Sequence, residues 1–232
     1  MQTLSKKKIL FLHGALGAAS QFDTLISLNK NDYDCIAIDF PGHGHQAPSS
    51  DFSIDYFTHY LIQFVQQHFN EPIDVFGYSM GGYIALNAAS QQPNLFKQIM
   101  TLGTKFDWNP AEGIKQAALL NADKIAEKLP HYAAYLTQLH PAHDWKKVVN
   151  QTAVLIQQLS SAPPLSGTSI AQIDIPICVG LGDRDQMVSL NETVDVYKQC
   201  KQGSMYVVPN MHHPIEKMNP DKMLTYMQWF FS

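Results

Sequence analysis

"DVFGYSMGGYIALNAA", residues 74–89, begins as an alternating apolar run and ends as an Ala-rich amphipathic one. Ser79 stands where the pattern changes, with Gly77 two places before it, Gly81 two places after, and Gly82 following. A change of period of this kind marks the point where a strand becomes a helix. Turn chemistry accounts for one or two of these glycines. A reactive serine accounts for all of them, provided that a base and its orienting acid appear elsewhere.

Gly77-Tyr78-Ser79-Met80-Gly81 fits G-x-S-x-G. Three fixed residues at about 7% frequency each give about one chance match in ten chains of this length. Context sharpens the match, because a nucleophile elbow must follow a strand and open a helix. Candidate partners follow it in the chain in the order Ser, Asp, His, the order that accompanies a G-x-S-x-G elbow. "GLGDRDQMV" carries Asp183 and Asp185 after one apolar run, and "VVPNMHHPIE" carries His212 and His213 after the last. Both pairs fall just past predicted strand ends, on the edge where Ser79 emerges. A serine hydroxyl is a poor nucleophile until an imidazole takes its proton, and a carboxylate must fix that imidazole's tautomer.

The surrounding chain has the matching rhythm. "KILFLHG" (8–14), "DCIAIDFPG" (34–42), "PIDVFGYS" (72–79), "QIMTLGT" (98–104), "IPICVGLGD" (175–183) and "SMYVVP" (204–209) read as buried strands. Their continuous apolarity suits a parallel sheet covered on both faces. Helical patterns separate them. Phe57, Leu61, Phe64, Val65 and His68 trace one face after Ser53, Ser189 and Glu192 form a capping-box signature, and Asn219-Pro220 opens the last helix. The predicted fold is α/β, a mostly parallel doubly wound sheet of about six strands with helices on both faces.

Between Lys105 and about Leu165 there is no strand candidate, only helical pattern punctuated by Pro110, Pro130 and Pro141. About sixty residues between two sheet strands far exceeds what a connection needs. Residues 105–165 are therefore predicted to be an inserted helical cap over the sheet's C-terminal edge, with 1–104 and 166–232 forming the core.

Composition limits the function classes. The 232 residues are 45% hydrophobic and 16% charged, with a formal net charge of −4. That balance offers no long-range attraction for nucleic acid or an anionic membrane. Arg184 is the only arginine, which disfavours substrates with several carboxylates or phosphates. Cys35, Cys178 and Cys200 are too scattered for a disulfide framework and read as buried free thiols of a reducing compartment. "KKKILFLHGALGAAS" mimics a secretory leader, but its apolar core runs only from Ile9 to Leu12. The expectation is a soluble cytoplasmic protein without cofactor. His140, His143 and Asp144 in "HPAHDW" superficially suggest a metal site, but are read as surface residues, and no other metal spacing is visible.

Five motifs in order resemble the α/β-hydrolase superfamily across nearly the whole chain: "LHGALG", "DFPGHG", "GYSMGG", "GDRDQMV" and "PNMHHPIE". The resemblance implies a serine hydrolase acting on a carboxylic ester or similar small acyl compound. Its G-x-x-D-x-x-V register selects Asp185, and the spacing from Pro209 selects His213, as partners of Ser79. It also makes the Ala15 and Met80 N–H groups the oxyanion donors. His13, His43 and His45 are then structural. Phe106 and Trp108 at the start of the cap, with Met187 beside the acid, are expected to line the substrate pocket. Tyr132, Tyr135 and Trp145 add aromatic surface, or the cap's own core.

In one respect the chain departs from the superfamily. Only about seven residues precede the first strand, so the usual leading hairpin is expected to be absent, and the uncovered edge invites a homodimer. Two rival readings share the fold. Lyases of menaquinone biosynthesis typically read "SMGGR", where this chain has Tyr83. A non-catalytic small-molecule receptor can retain all three site residues.

Overall fold

The computed structural model describes residues 6–232. Six strands form one sheet: β1 (Lys7–Leu12), β2 (Tyr33–Ile38), β3 (Ile73–Tyr78), β4 (Phe96–Leu102), β5 (Pro176–Gly182) and β6 (Gln202–Val208). Every neighbouring pair is parallel, in the order β2-β1-β3-β4-β5-β6. The chain steps outward from β1 to β2, then returns past β1 to β3. The loops leaving β1 and β3 therefore diverge at a topological switch point, where open α/β sheets bind their ligands.

Parallel strands need long crossovers, usually helical. Helices α1 (Asp23–Asn29), α2 (Ile54–His68) and α3 (Met80–Gln91) serve the first strands. After β5 come α9 (Leu190–Gln199) and α10 (Pro220–Phe231), and α8 (Gly167–Gln172) precedes that strand. The sheet sorts its side chains by parity. Leu10, Leu12, Val75, Ile99 and Val179 pack with α2, α3, α8 and α9. Ile9, Phe11, Phe76, Met100 and Cys178 face α1 and α10. All ten are buried, which is why the strands read as unbroken apolar runs rather than as alternating ones. The apolar core of the leader-like stretch, Ile9 to Leu12, lies in β1, an inner strand.

Ser53, Ser189 and Asn219 cap α2, α9 and α10 through the N–H groups of Tyr56, Glu192 and Lys222. The thiols are free; Cys178 is buried, whereas Cys35 and Cys200 are only half-buried. Among the described residues, no helix is long and apolar enough to cross a membrane.

Four helices lie between β4 and β5: α4 (Pro110–Leu119), α5 (Ala122–Lys128), α6 (Pro130–Leu139) and α7 (Trp145–Ser161). Pro110 and Pro130 sit in first turns, where a missing N–H costs nothing. Asn109, Asn121 and Asp144 cap α4, α5 and α7. The insertion bonds to loops that leave several strands at their C-terminal ends. Gln151 donates to Ser49 O (3.1 Å), and His140 reaches Leu16 O (3.0 Å).

Met227 of α10 is fully buried against the sheet. Met227→Ala is expected to destabilise the chain by about 2–5 kcal/mol, measured by urea unfolding. A loss under 1 kcal/mol would mean that α10 does not seal that face.

Candidate active site

Ser79 closes β3 and precedes the first residue of α3. Its backbone, at φ 50° and ψ −116°, is left-handed, a conformation that non-glycine residues adopt only when the surroundings impose it. Ser79 N donates to Leu102 O (2.8 Å), and Thr104 Oγ1 donates to Ser79 O (3.1 Å). The glycines permit the tight approach. A Cβ on Gly81 would strike the Leu12 carbonyl, and one on Gly77 would meet the backbone of Gly82.

Ser79 Oγ lies 3.2 Å from His213 Nε2, and His213 Nδ1 lies 2.8 Å from Asp185 Oδ2. The second contact fixes the neutral tautomer. Nδ1–H donates to the carboxylate, leaving Nε2 to accept from the serine hydroxyl. The Asp185 side chain is 2% exposed, and its other oxygen accepts from Met187 N (2.8 Å) and Val188 N (2.9 Å). Burial pushes this carboxyl up, but the His213 bond and charge, with the Val188 and Met187 N–H groups, outweigh it and hold the pKa below the usual value. Tyr78 Oη donates to His213 O (2.8 Å), pinning the loop that carries His213 to β3. Asp183 lies outside this line. It is exposed and accepts from Met211 N (3.2 Å), without an ion pair to Arg184 among the described residues. His212 is half-buried and makes no bond to Ser79.

Beside the serine, the N–H groups of Ala15 and Met80 have no acceptor among the described residues. The loop that carries Ala15 is strained, with Leu16 at φ 58°. His13 braces it. Its Nε2 accepts from Phe40 N (3.0 Å), so Nδ1–H donates to Gly14 O (2.8 Å).

His140 corrects the expectation of a surface residue. It is fully buried, accepts from Gly44 N at Nδ1 (2.9 Å) and donates from Nε2 to Leu16 O (3.0 Å). The sequence signal was present, a histidine at the end of an apolar helical pattern, but its partners lie on distant loops. Asp144 is a helix cap, and the described residues hold no cluster of three or more ligands suited to a metal. His43 is buried as well, stacked on Phe52 with ring centroids 4.8 Å apart, and its Nε2 has no partner among the described residues. His45 is exposed.

The three expected lining residues sit differently from one another. Trp108 Nε1 donates to Lys105 O (3.1 Å). Phe106 approaches Tyr83 (6.4 Å between centroids) and borders a groove with Leu165, Ile170, Glu192 and Val196 that does not include Ser79. Met187 is 39% exposed next to the acid. Two polar ties have no signature in the sequence. Lys105 Nζ lies 3.5 Å from Glu192 and 3.7 Å from Glu112. Glu216 accepts from Gln21 (2.6 Å) and from Tyr135 (2.8 Å).

A half-buried serine and histidine backed by a buried carboxylate, with two N–H groups that lack acceptors among the described residues, is an arrangement that acyl-transfer enzymes use. Residues 7–145 match the sequence profile of the alpha/beta hydrolase fold, and the chain belongs to that family. It is 20% identical over 95% of its length to the (E)-2-((N-methylformamido)methylene)succinate hydrolase of Acinetobacter baylyi, covering 88% of that protein. Over 43% of the chain it is 35% identical to a Haemophilus influenzae protein assigned as a 2-succinyl-6-hydroxy-2,4-cyclohexadiene-1-carboxylate synthase, covering 43% of it. The matches to this and four other curated relatives span only 30% to 43% of those proteins' lengths. Among solved structures, NosK from Streptomyces actuosus superposes with a TM-score of 0.81 at 21% identity, covering 98% of both chains.

Burial lowers His13 from 6.5 to about 4 and holds His43 well below its usual value. Both are kept neutral when folded, whereas the unfolded chain takes up protons as the pH falls through about 6.5. Stability is therefore complete above that value and is lost as the pH falls towards 4. His43→Phe keeps the stacked ring and removes one such group. The urea midpoint of this variant should fall less between pH 7 and pH 5 than that of the unmodified chain; equal falls would remove His43 from the account.

Proposed function

We propose that the chain is a serine hydrolase that cleaves a carboxylic ester or similar small acyl compound through an acyl-enzyme. The observation that carries this reading is the continuous line from Ser79 Oγ through His213 to the buried Asp185. Ser79 attacks the carbonyl carbon while His213 Nε2 takes its proton. The oxyanion receives the N–H groups of Ala15 and Met80. His213 returns the proton to the leaving group, then activates water to release the acid. Donors already aimed at the developing charge need no reorganisation, which is the source of their effect. No cofactor enters any of these steps.

In this reading residues 105–165 form a cap, and Phe106, Trp108 and Met187 border the acyl group at its rim. Lys105, the cation nearest the cap's start, is shared between two glutamates. A substrate of low charge suits such a pocket. The lyase alternative draws on the similarity to the Haemophilus protein. Against it, Tyr83 occupies the position of the lyases' arginine, buried and accepting from Leu165 N (3.2 Å).

Fluorophosphonate should label the unmodified chain at Ser79 and leave Ser79→Ala unlabelled, and short p-nitrophenyl esters should be turned over. Asp185→Asn should lower kcat by a factor on the order of 10⁴, as removal of the orienting carboxylate does in a related triad, with Asp183→Asn mild. Labelling without turnover of any ester would move the receptor or lyase reading ahead. Trp108→Ala and Phe106→Ala should shift the preference between short and longer acyl esters by about 1–3 kcal/mol in kcat/KM terms. Unchanged ratios would take both residues out of the pocket.

A further inference from the structure

The peptide that carries the Ala15 N–H has Gly14 O at its other end. A trans peptide is planar, with N–H and C=O pointing in opposite directions, so whatever holds Gly14 O aims the Ala15 N–H. Gly17 N donates to Gly14 O (3.0 Å). The Gly17 N–H belongs in turn to the peptide whose oxygen is Leu16 O, and that oxygen accepts from His140 Nε2 (3.0 Å). His140 Nδ1 accepts from Gly44 N (2.9 Å), whose peptide oxygen, His43 O, accepts from Gln46 N (3.0 Å).

We propose that His140 is a positioning residue for the oxyanion. Its imidazole closes an unbroken chain of donors from the Gly44 turn, through the Leu16–Gly17 and Gly14–Ala15 peptides, to the charge formed on the substrate. The inference rests on the hydrolase reading, in which Ala15 supplies an oxyanion donor. His140 lies in the helical insertion, so the part of the chain that covers the site also aims the group that stabilises its transition state.

Three observations support this role. First, both turns that His140 joins are left-handed, with Leu16 at φ 58° and Gly44 at φ 54°. Leu16 pays a steric penalty there that glycine does not, and a hydrogen bond to its own carbonyl opposes relaxation. Second, hydrogen bonds in a chain polarise one another, by about 10–30% per bond. A donor on Leu16 O therefore strengthens Gly17 N–H, and that in turn strengthens Ala15 N–H. His13 adds a second donor to Gly14 O (2.8 Å). Third, the chain requires a neutral His140, because Nδ1 accepts while Nε2 donates. Burial lowers the pKa of His140, partly offset by the Leu16 bond, with His143 lowering it further and Asp39 raising it. His13 and His43 also face the cluster, and both are held neutral by burial.

Loss of a whole oxyanion donor costs roughly 10²–10³ in kcat, so misaiming one should cost less. His140→Phe keeps the ring and loses both bonds. On an ester that the unmodified chain turns over, it is expected to lower kcat by about 10- to 100-fold with KM within about twofold. Affinity for an alkylboronic acid, whose tetrahedral adduct carries the oxyanion, should fall by a similar factor, and affinity for the product acid should not. His140→Gln retains a donor and an acceptor at similar reach and should recover most of kcat. Amide NMR gives an independent readout, since the Gly17 and Ala15 N–H resonances should move in His140→Phe and return towards their original positions in His140→Gln. A folded His140→Phe with unaltered kcat and boronate affinity would overturn the proposal and leave the hydrolase reading standing. So would equal losses for boronate and product acid. If the unmodified chain neither turns over ester nor labels at Ser79, the hydrolase reading fails first and the proposal falls with it.

Discussion

At Ser79 the backbone is held in a left-handed turn between β3 and α3, and the rest of the site is arranged around that constraint. The turn survives because α3 starts so close to β1 and β3 that no side chain fits at Gly77 or Gly81. It is also pinned from β4 through Leu102 O. Relaxing Ser79 to an ordinary conformation would swing Oγ off the His213 ring and re-aim the Met80 N–H beside it. Strain at this point is stable because the sheet around it is packed on both faces.

The sheet order supplies the second half of the geometry. β1 and β3 are neighbours, with Leu12 paired to Gly77, so the Ala15 loop and the elbow leave the sheet side by side. The acid and base arrive from β5 and β6, also paired neighbours. Three polar ties then connect the helical insertion to these loops: Lys105 to Glu192, Tyr135 to Glu216 and Gln21, and His140 to Leu16 and Gly44. One reaches the loop after β1, one the first turn of α9 beyond Asp185, and one the turn that follows His213. An insertion fastened at these points is held against the chain segments that carry Ser79's neighbours, Asp185 and His213.

Much of this was legible in the sequence because it is local. The six strands show as apolar runs since both faces of a parallel sheet are covered. Ser79 shows as a period change among glycines. The register that picks Asp185 over Asp183 and His213 over His212 came from the resemblance, and the side chains meet in that pairing. What the sequence hid is long-range. His140 looked like an exposed loop histidine because nothing near it in sequence reveals that Leu16 and Gly44 approach it. Glu192 looked like part of a helix cap, yet its carboxylate also receives Phe106 N and the Lys105 ammonium. Such polar ties have no periodicity to read.

The most direct test of the central claim is intact-mass measurement of the chain quenched during turnover of a slowly deacylated p-nitrophenyl ester. The account expects one acyl group per chain, with the adduct on the peptide that contains Ser79, rising and decaying with the burst of p-nitrophenol. Turnover without an adduct, or an adduct on any other residue, would contradict it.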